Sequence, residues 1–164
     1  MTRTARAVGL LVVILLTGTA ACGRQPNDRG STVSTPSEWH PVRVGDAAVL
    51  AVPPDAEEQR IQPLDSIVGM LVGDGYEIVY DYGRSGEDLS LYRDEPGYAE
   101  QAREVDGRSG RQVTFHPSGS PWRVVRILQA SDGEEVLTVR VSCEDDAVCA
   151  VADAVFDTVR FGAR

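Results

Sequence analysis

Two carboxylates, a phenol and a guanidinium fall close together in the chain as Asp65, Asp81, Tyr82 and Arg84. Gathered at one place, they could bind a polar ligand or exchange protons with it. A surface ion pair between Asp65 and Arg84 accounts for two of them without any ligand, at ~0.2–1 kcal/mol. That structural explanation is preferred here. The two histidines are His40 and His116. His116 stands before Pro117 and could activate Ser118 or Ser120, but no G-x-S-x-G elbow and no third triad member accompany it. It reads as a surface histidine at a strand end. Glu144-Asp145-Asp146 offers oxygens to calcium but lacks the spaced ligands and glycine of a calcium loop. Acids at a helix N-terminus explain it more simply. Asp94-Glu95 reads as a solvated loop tip. No glycine-rich phosphate loop is present, so neither a cofactor nor a metal is expected.

The first four residues need a hairpin to bring them together. Asp74-Gly75 separates two apolar runs, and Asp-Gly favours a two-residue type I′ loop with positive φ at both positions. That turn sets Gly73 against Tyr76, Leu71 against Ile78, Gly69 against Tyr80 and Ile67 against Tyr82. This side is apolar throughout and is expected to be buried. The Tyr80 ring can lie across the bare backbone of Gly69. On the other side Val72 meets Glu77, Met70 meets Val79 and Val68 meets Asp81. Continuing the register places Asp65 opposite Arg84, so the open end gathers Asp65, Ser66, Asp81, Tyr82 and Arg84. Asp81 is expected to anchor a neighbouring loop by hydrogen bonds.

Breakers around this hairpin fall at intervals typical of an antiparallel sheet. Ala47 to Val52 reads as a short strand ended by prolines, and Arg60 to Leu64 as a weak edge strand. Ser85 to Gly97 is a polar loop. Ala99 to Val105 and Arg111 to His116 are joined near Asp106-Gly107. Trp122 to Gln129 and Glu135 to Val141 are joined about Asp132-Gly133. From Asp145 to Asp157 the period changes. Val148, Val151, Val155 and Val159 recur at helical steps, while Asp146, Asp153 and Asp157 lie on the opposite face. Thr158 to Phe161 closes the chain as a short strand. The expected class is α+β, a mainly antiparallel sheet with a C-terminal amphipathic helix packed on it.

The chain has 164 residues and a net charge of −9, and all 16 of its basic residues are arginine. Its sequence carries no basic stripe for nucleic acid, and its acidity opposes electrostatic attraction to anionic headgroups.

Residues 1–21 have a basic start at Arg3 and Arg6, an apolar run from Val8 to Leu16 and small residues before Cys22. The apolar run is shorter than the ~20 residues of a spanning helix. Thr19-Ala20-Ala21-Cys22 resembles the end of a bacterial lipoprotein signal peptide, with threonine where leucine is commoner. The resemblance implies diacylglycerol transfer to the Cys22 thiol, cleavage before it and acylation, palmitate included, of the new N-terminus. It places the protein on the extracytoplasmic side of a bacterial membrane. Two or three acyl chains give stable anchoring. Residues 22–38 then form a flexible tether, and residues 39–164 a single globular envelope domain.

In an exported chain the default for Cys143 and Cys149 is a disulfide. Six helical residues rise ~9 Å, beyond the ~7 Å that a bridge spans. Cys143 therefore belongs in the turn after the strand and Cys149 in the first or second helical turn. Two cysteines with no nearby histidine make a poor metal set.

From Ala47 to Phe161, a strand ending in prolines, Asp65-Ser66-Ile67-Val68-Gly69, a strand ending Asp81-Tyr82-Gly83 and a closing Val159-Arg160-Phe161 resemble small exported bacterial proteins of PsbP-like fold. The resemblance implies a sheet flanked by helices and no catalytic residues. Two function classes follow. One is a non-catalytic envelope lipoprotein that binds or assists an envelope partner. The other is a small extracytoplasmic hydrolase or ligand-binding enzyme working from the hairpin end or the 85–97 loop.

Overall fold

In the strand Tyr76–Gly83 every second side chain is buried, the mark of a strand with one face on a core. A computed structural model describes residues 37–61 and 65–162 of this chain. The signal segment, Cys22, most of the tether and positions 62–64 lie outside the described residues.

The elements in order are β1 (His40–Val44), β2 (Ala48–Val52), β3 (Glu57–Gln59), β4 (Ile67–Gly73), β5 (Tyr76–Gly83), a 3-10 helix (Leu89–Tyr92), β6 (Ala99–Val105), β7 (Arg108–Phe115), β8 (Val124–Asp132), β9 (Glu135–Cys143), α1 (Ala150–Thr158) and β10 (Arg160–Phe161). Two sheets form, ordered β1-β2-β10 and β3-β4-β5-β9-β8-β7-β6. Every strand pairing is antiparallel. The class is α+β, as the pattern of the sequence predicts.

The inner face of the long sheet carries Leu71, Ile78, Tyr80, Leu137, Val139 and Val141 into one core with Leu50 and Val52 of the small sheet. Ala152, Val155 and Phe156 of α1 complete it. Thr158 ties the helix to β2, its Oγ1 accepting from the Ala51 N–H at 2.8 Å. A second core lies on the outer face, where Val113, Phe115, Val125 and Ile127 gather under Leu89. Tyr92 stacks on Phe115 with ring centroids 4.4 Å apart. The 85–97 loop is therefore the cover of this second core over β7 and β8.

The β4–β5 register is the one read from the sequence, from Gly73 against Tyr76 to Ile67 against Tyr82. The turn type differs. Gly75 has φ of 76° while Asp74 stays at negative φ, so the loop is not type I′. The Asp74 N–H is instead held by Oδ2 of Asp55 at 3.0 Å. The loop with positive φ at both residues is Asp106-Gly107, at 50° and 76°. At the β8–β9 hairpin Asp132 pairs with Glu135, so the loop is Gly133-Glu134.

Other expectations shift. β1 was not foreseen, and it pairs with β2 along its whole length. The edge strand beside β4 is Glu57–Gln59; of the strand expected over 60–64, Arg60 and Ile61 are not in a strand and positions 62–64 lie outside the described residues. Ile67 is 41% exposed, because it begins β4 at the sheet's end. The helix starts at Ala150, after a turn in which Asp145 Oδ1 accepts the Val148 N–H at 2.9 Å. Glu144, Asp145 and Asp146 thus precede the helix, within the expectation that they lie in or before its first turn. Cys143 ends β9 and Cys149 sits at the helix N-cap, joined by a disulfide with Cα atoms 5.4 Å apart. Thr158 ends the helix, and the closing strand is only Arg160–Phe161.

The face of α1 expected to meet solvent is the largest surprise. Asp157 pairs with Arg103, and Asp153 with Arg126. Gln112 Nε2 also donates to Asp153 at 2.9 Å. Arg103 of β6, Gln112 of β7 and Arg126 of β8 point inward beside the apolar core, and the helix lays its acidic flank on them.

Candidate functional site

Outward positions across the centre of the sheet are set by the ladders. On β5 they are Glu77, Val79 and Asp81, which face Val72, Met70 and Val68 of β4 on one side. On the other they face Ser142, Arg140 and Thr138 of β9. The 85–97 loop covers β7 and β8 but leaves this part of the face uncovered. A groove of about 510 Å³ results, lined by Val68, Val79, Asp81, Glu87, Thr138 and Arg140 among others.

Arg140 is tied down within it. Its guanidinium pairs with Glu87 and donates to the Tyr92 hydroxyl, which itself donates to Glu87. Burial holds the Arg140 pKa below its usual value, partly offset by the Glu77 carboxylate. Thr138 is buried, and its Oγ1 accepts from Gln129 Nε2 at 3.3 Å. Gln129 Nε2 also donates to the Glu87 carbonyl at 2.9 Å, fixing the loop to the sheet. Gln129 Oε1 in turn accepts from Arg111 Nε at 3.1 Å and Nη2 at 2.8 Å.

Asp81 stands at the end of this polar row. Its Oδ1 is buried, and among the described residues no group donates to it. Asp81 therefore does not anchor a neighbouring loop, contrary to the expectation from the sequence. The loop takes its anchors from Arg140 and Gln129 instead, one and two strands further along the sheet.

The open end of the hairpin is a cleft of about 800 Å³ lined by Asp65, Ser66, Asp81, Tyr82, Arg84 and Glu135 among others. The four residues singled out in the sequence share this cleft. The β4–β5 ladder stops at Ile67 and Tyr82, and no ion pair joins Asp65 to Arg84. Tyr82 is buried on the inner side, with its hydroxyl donating to Glu135 Oε2 at 2.6 Å. Asp81 and Ser85 line both the cleft and the groove, so the two meet there.

The other candidates are accounted for structurally. His116 Nδ1 lies 2.8 Å from the Arg123 carbonyl oxygen. Glu95 is not simply a solvated tip, since its Oε2 accepts the Ser118 N–H at 2.9 Å. Among the described residues no group of three or more His, Cys, Asp or Glu is arranged to hold a metal. The sequence does not single out Arg140 and Thr138 as site residues, while Glu87 lies in the 85–97 loop it offers as a possible working surface. The partners of Arg140 and Thr138 on β5 lie dozens of positions away, and only the β5–β9 pairing brings them together.

Fold and groove together define an α+β domain whose long antiparallel sheet buries one face and leaves part of the other open. No family model matches the chain, and no curated protein does. Among solved structures it is similar to the crystal structure of LpqN, involved in cell envelope biogenesis of Mycobacterium tuberculosis. The two are 17% identical over 76% of this chain and 91% of that one, with a TM-score of 0.52. At that identity the likeness is one of fold.

Proposed function

We propose that the chain is a lipid-anchored envelope protein, held to a membrane through Cys22, whose domain binds an envelope partner without catalysing a reaction on it. The observation that carries the binding role is the uncovered sheet face over β4, β5 and β9, with Asp81 in its lining. Its guanidinium is already ion-paired, and its hydroxyls, Ser85 and Thr138, have no histidine in the lining to activate them. Such a surface orients a ligand rather than transforms it. The signal-peptide ending at Cys22 and the Cys143–Cys149 disulfide both suit an extracytoplasmic site. The fold shared with a protein of cell envelope biogenesis supports an accessory role of the same broad kind.

The test places a photoreactive side chain at Val79, in the groove, in cells carrying either the natural chain or Cys22→Ala. Membrane retention and one defined crosslinked envelope protein are expected for the anchored form. Cys22→Ala should be released and lose both the acyl mass and the adduct. An acylated, membrane-bound Cys22→Ala protein, or an anchored protein with no adduct from Val79, would overturn the proposal.

A further inference from the structure

We infer that the groove at Asp81 receives a cationic side chain, lysine ammonium or arginine guanidinium, carried by an extended segment of a partner protein. This rests on the reading of the groove as a binding surface. Buried carboxylate oxygens are normally met by donors, because leaving one dry forfeits its hydration without return. Asp81 Oδ1 is buried, and among the described residues no group donates to it. Along its row, Arg111 donates to Gln129 and Gln129 to Thr138. Asp81 is the ladder partner of Thr138 on β5, yet the Thr138 hydroxyl makes no hydrogen bond to its Oδ1. The row thus ends beside Asp81 without supplying that oxygen a donor.

Charge selects the ligand class. Arg140, the cation in the groove lining, is paired with Glu87. Glu77 and Asp81 line the same groove without an ion pair, so the floor is left net negative. An anion would be repelled. A purely apolar group would bring the Asp81 carboxylate neither a donor nor a countercharge. An ammonium or guanidinium supplies both donor and countercharge, while Val68 and Val79 flank the place where its aliphatic stem would lie. The groove is open and continues into the cleft at the hairpin end through Asp81 and Ser85, which suits an extended chain rather than an enclosed small molecule.

The experiment titrates the full-length protein with a glycine-rich peptide carrying three lysines, and with the same peptide acetylated on each lysine. Amide resonances of the protein report the site. The lysine peptide should shift Val79, Asp81 and Thr138, and added salt should weaken it. The acetylated peptide should leave these signals in place. Asp81→Asn should keep its fold, since no protein donor is lost, and bind the lysine peptide about tenfold more weakly. Equal binding by Asp81→Asn, equal response to the acetylated peptide, or shifts confined to other acidic surfaces would overturn the inference. The Val79 crosslink separates the two proposals. An adduct that forms equally well in Asp81→Asn would sink the cationic ligand while leaving the groove as the partner surface.

Discussion

The Tyr76 hydroxyl donates to Oδ1 of Asp55 at 3.0 Å, while Oδ2 of the same carboxylate accepts the Asp74 N–H at 3.0 Å. One side chain from the β2–β3 connection thus fixes both the β4–β5 turn and the first tyrosine after it. The turn amide above all holds the Asp55 pKa below its ordinary value; burial opposes it, and the phenol lowers it by less than burial raises it. A depressed carboxylate stabilises the fold above its unfolded pKa of ~3.9 and loses that contribution as pH falls through the folded value. Asp55→Asn should therefore cost about 1 kcal/mol at neutral pH, solvent screening included. The gap between variant and natural protein should close in strong acid. Urea denaturation of both across acidic pH checks this, and a gap that persists undiminished would refute it.

Gly69 and Tyr80 face each other, and a Cβ on Gly69 would stand 2.1 Å from the Tyr80 ring. Gly69→Ala should destabilise by ~1–3 kcal/mol through overpacking. In a double-mutant cycle with Tyr80→Ala, most of that cost should vanish, because the clashing ring is gone. Additive effects would show that the ring is not what excludes a side chain at Gly69.

Tyr82 joins the core with its ring and meets Glu135 with its hydroxyl. Tyr82→Ala should cost ~3–5 kcal/mol, as for other buried aromatics. Tyr82→Phe should cost about 1 kcal/mol, the net worth of one hydrogen bond. Equilibrium unfolding of the pair separates packing from polar contact. Equal losses would assign the whole effect to the hydroxyl.

The Cys143–Cys149 bridge closes a short loop between β9 and α1, with both cysteines fully buried. Constraint of so short a loop contributes less than ~3 kcal/mol. The Cys143→Ala/Cys149→Ala protein should fold with a lower urea midpoint, equal to that of the natural protein under reductant. A double variant that fails to fold would show that the helix depends on the bridge.

Read alone, the sequence determined the local structure. The β4–β5 register followed from Asp74-Gly75 and the alternation beside it, because a two-residue loop admits one pairing that buries Leu71, Ile78 and Tyr80 together. The disulfide partners and the helical stretch were legible for the same reason, since both depend on neighbours a few residues away. The groove was not legible. Asp81 is an ordinary strand carboxylate until β9 pairs with β5 and sets Thr138 beside it. Arg140 is an ordinary strand arginine until the 85–97 loop folds over the sheet and brings Glu87 and Tyr92 to it. Asp153 and Asp157 carry the helical spacing of a solvated face, yet Arg103, Gln112 and Arg126 meet them because α1 packs across three strands that each turn a polar side chain inward there. Periodicity states which residues share a face. What that face touches is decided by pairings between distant strands, whose energy comes from burial across the whole sheet and leaves no short-range pattern.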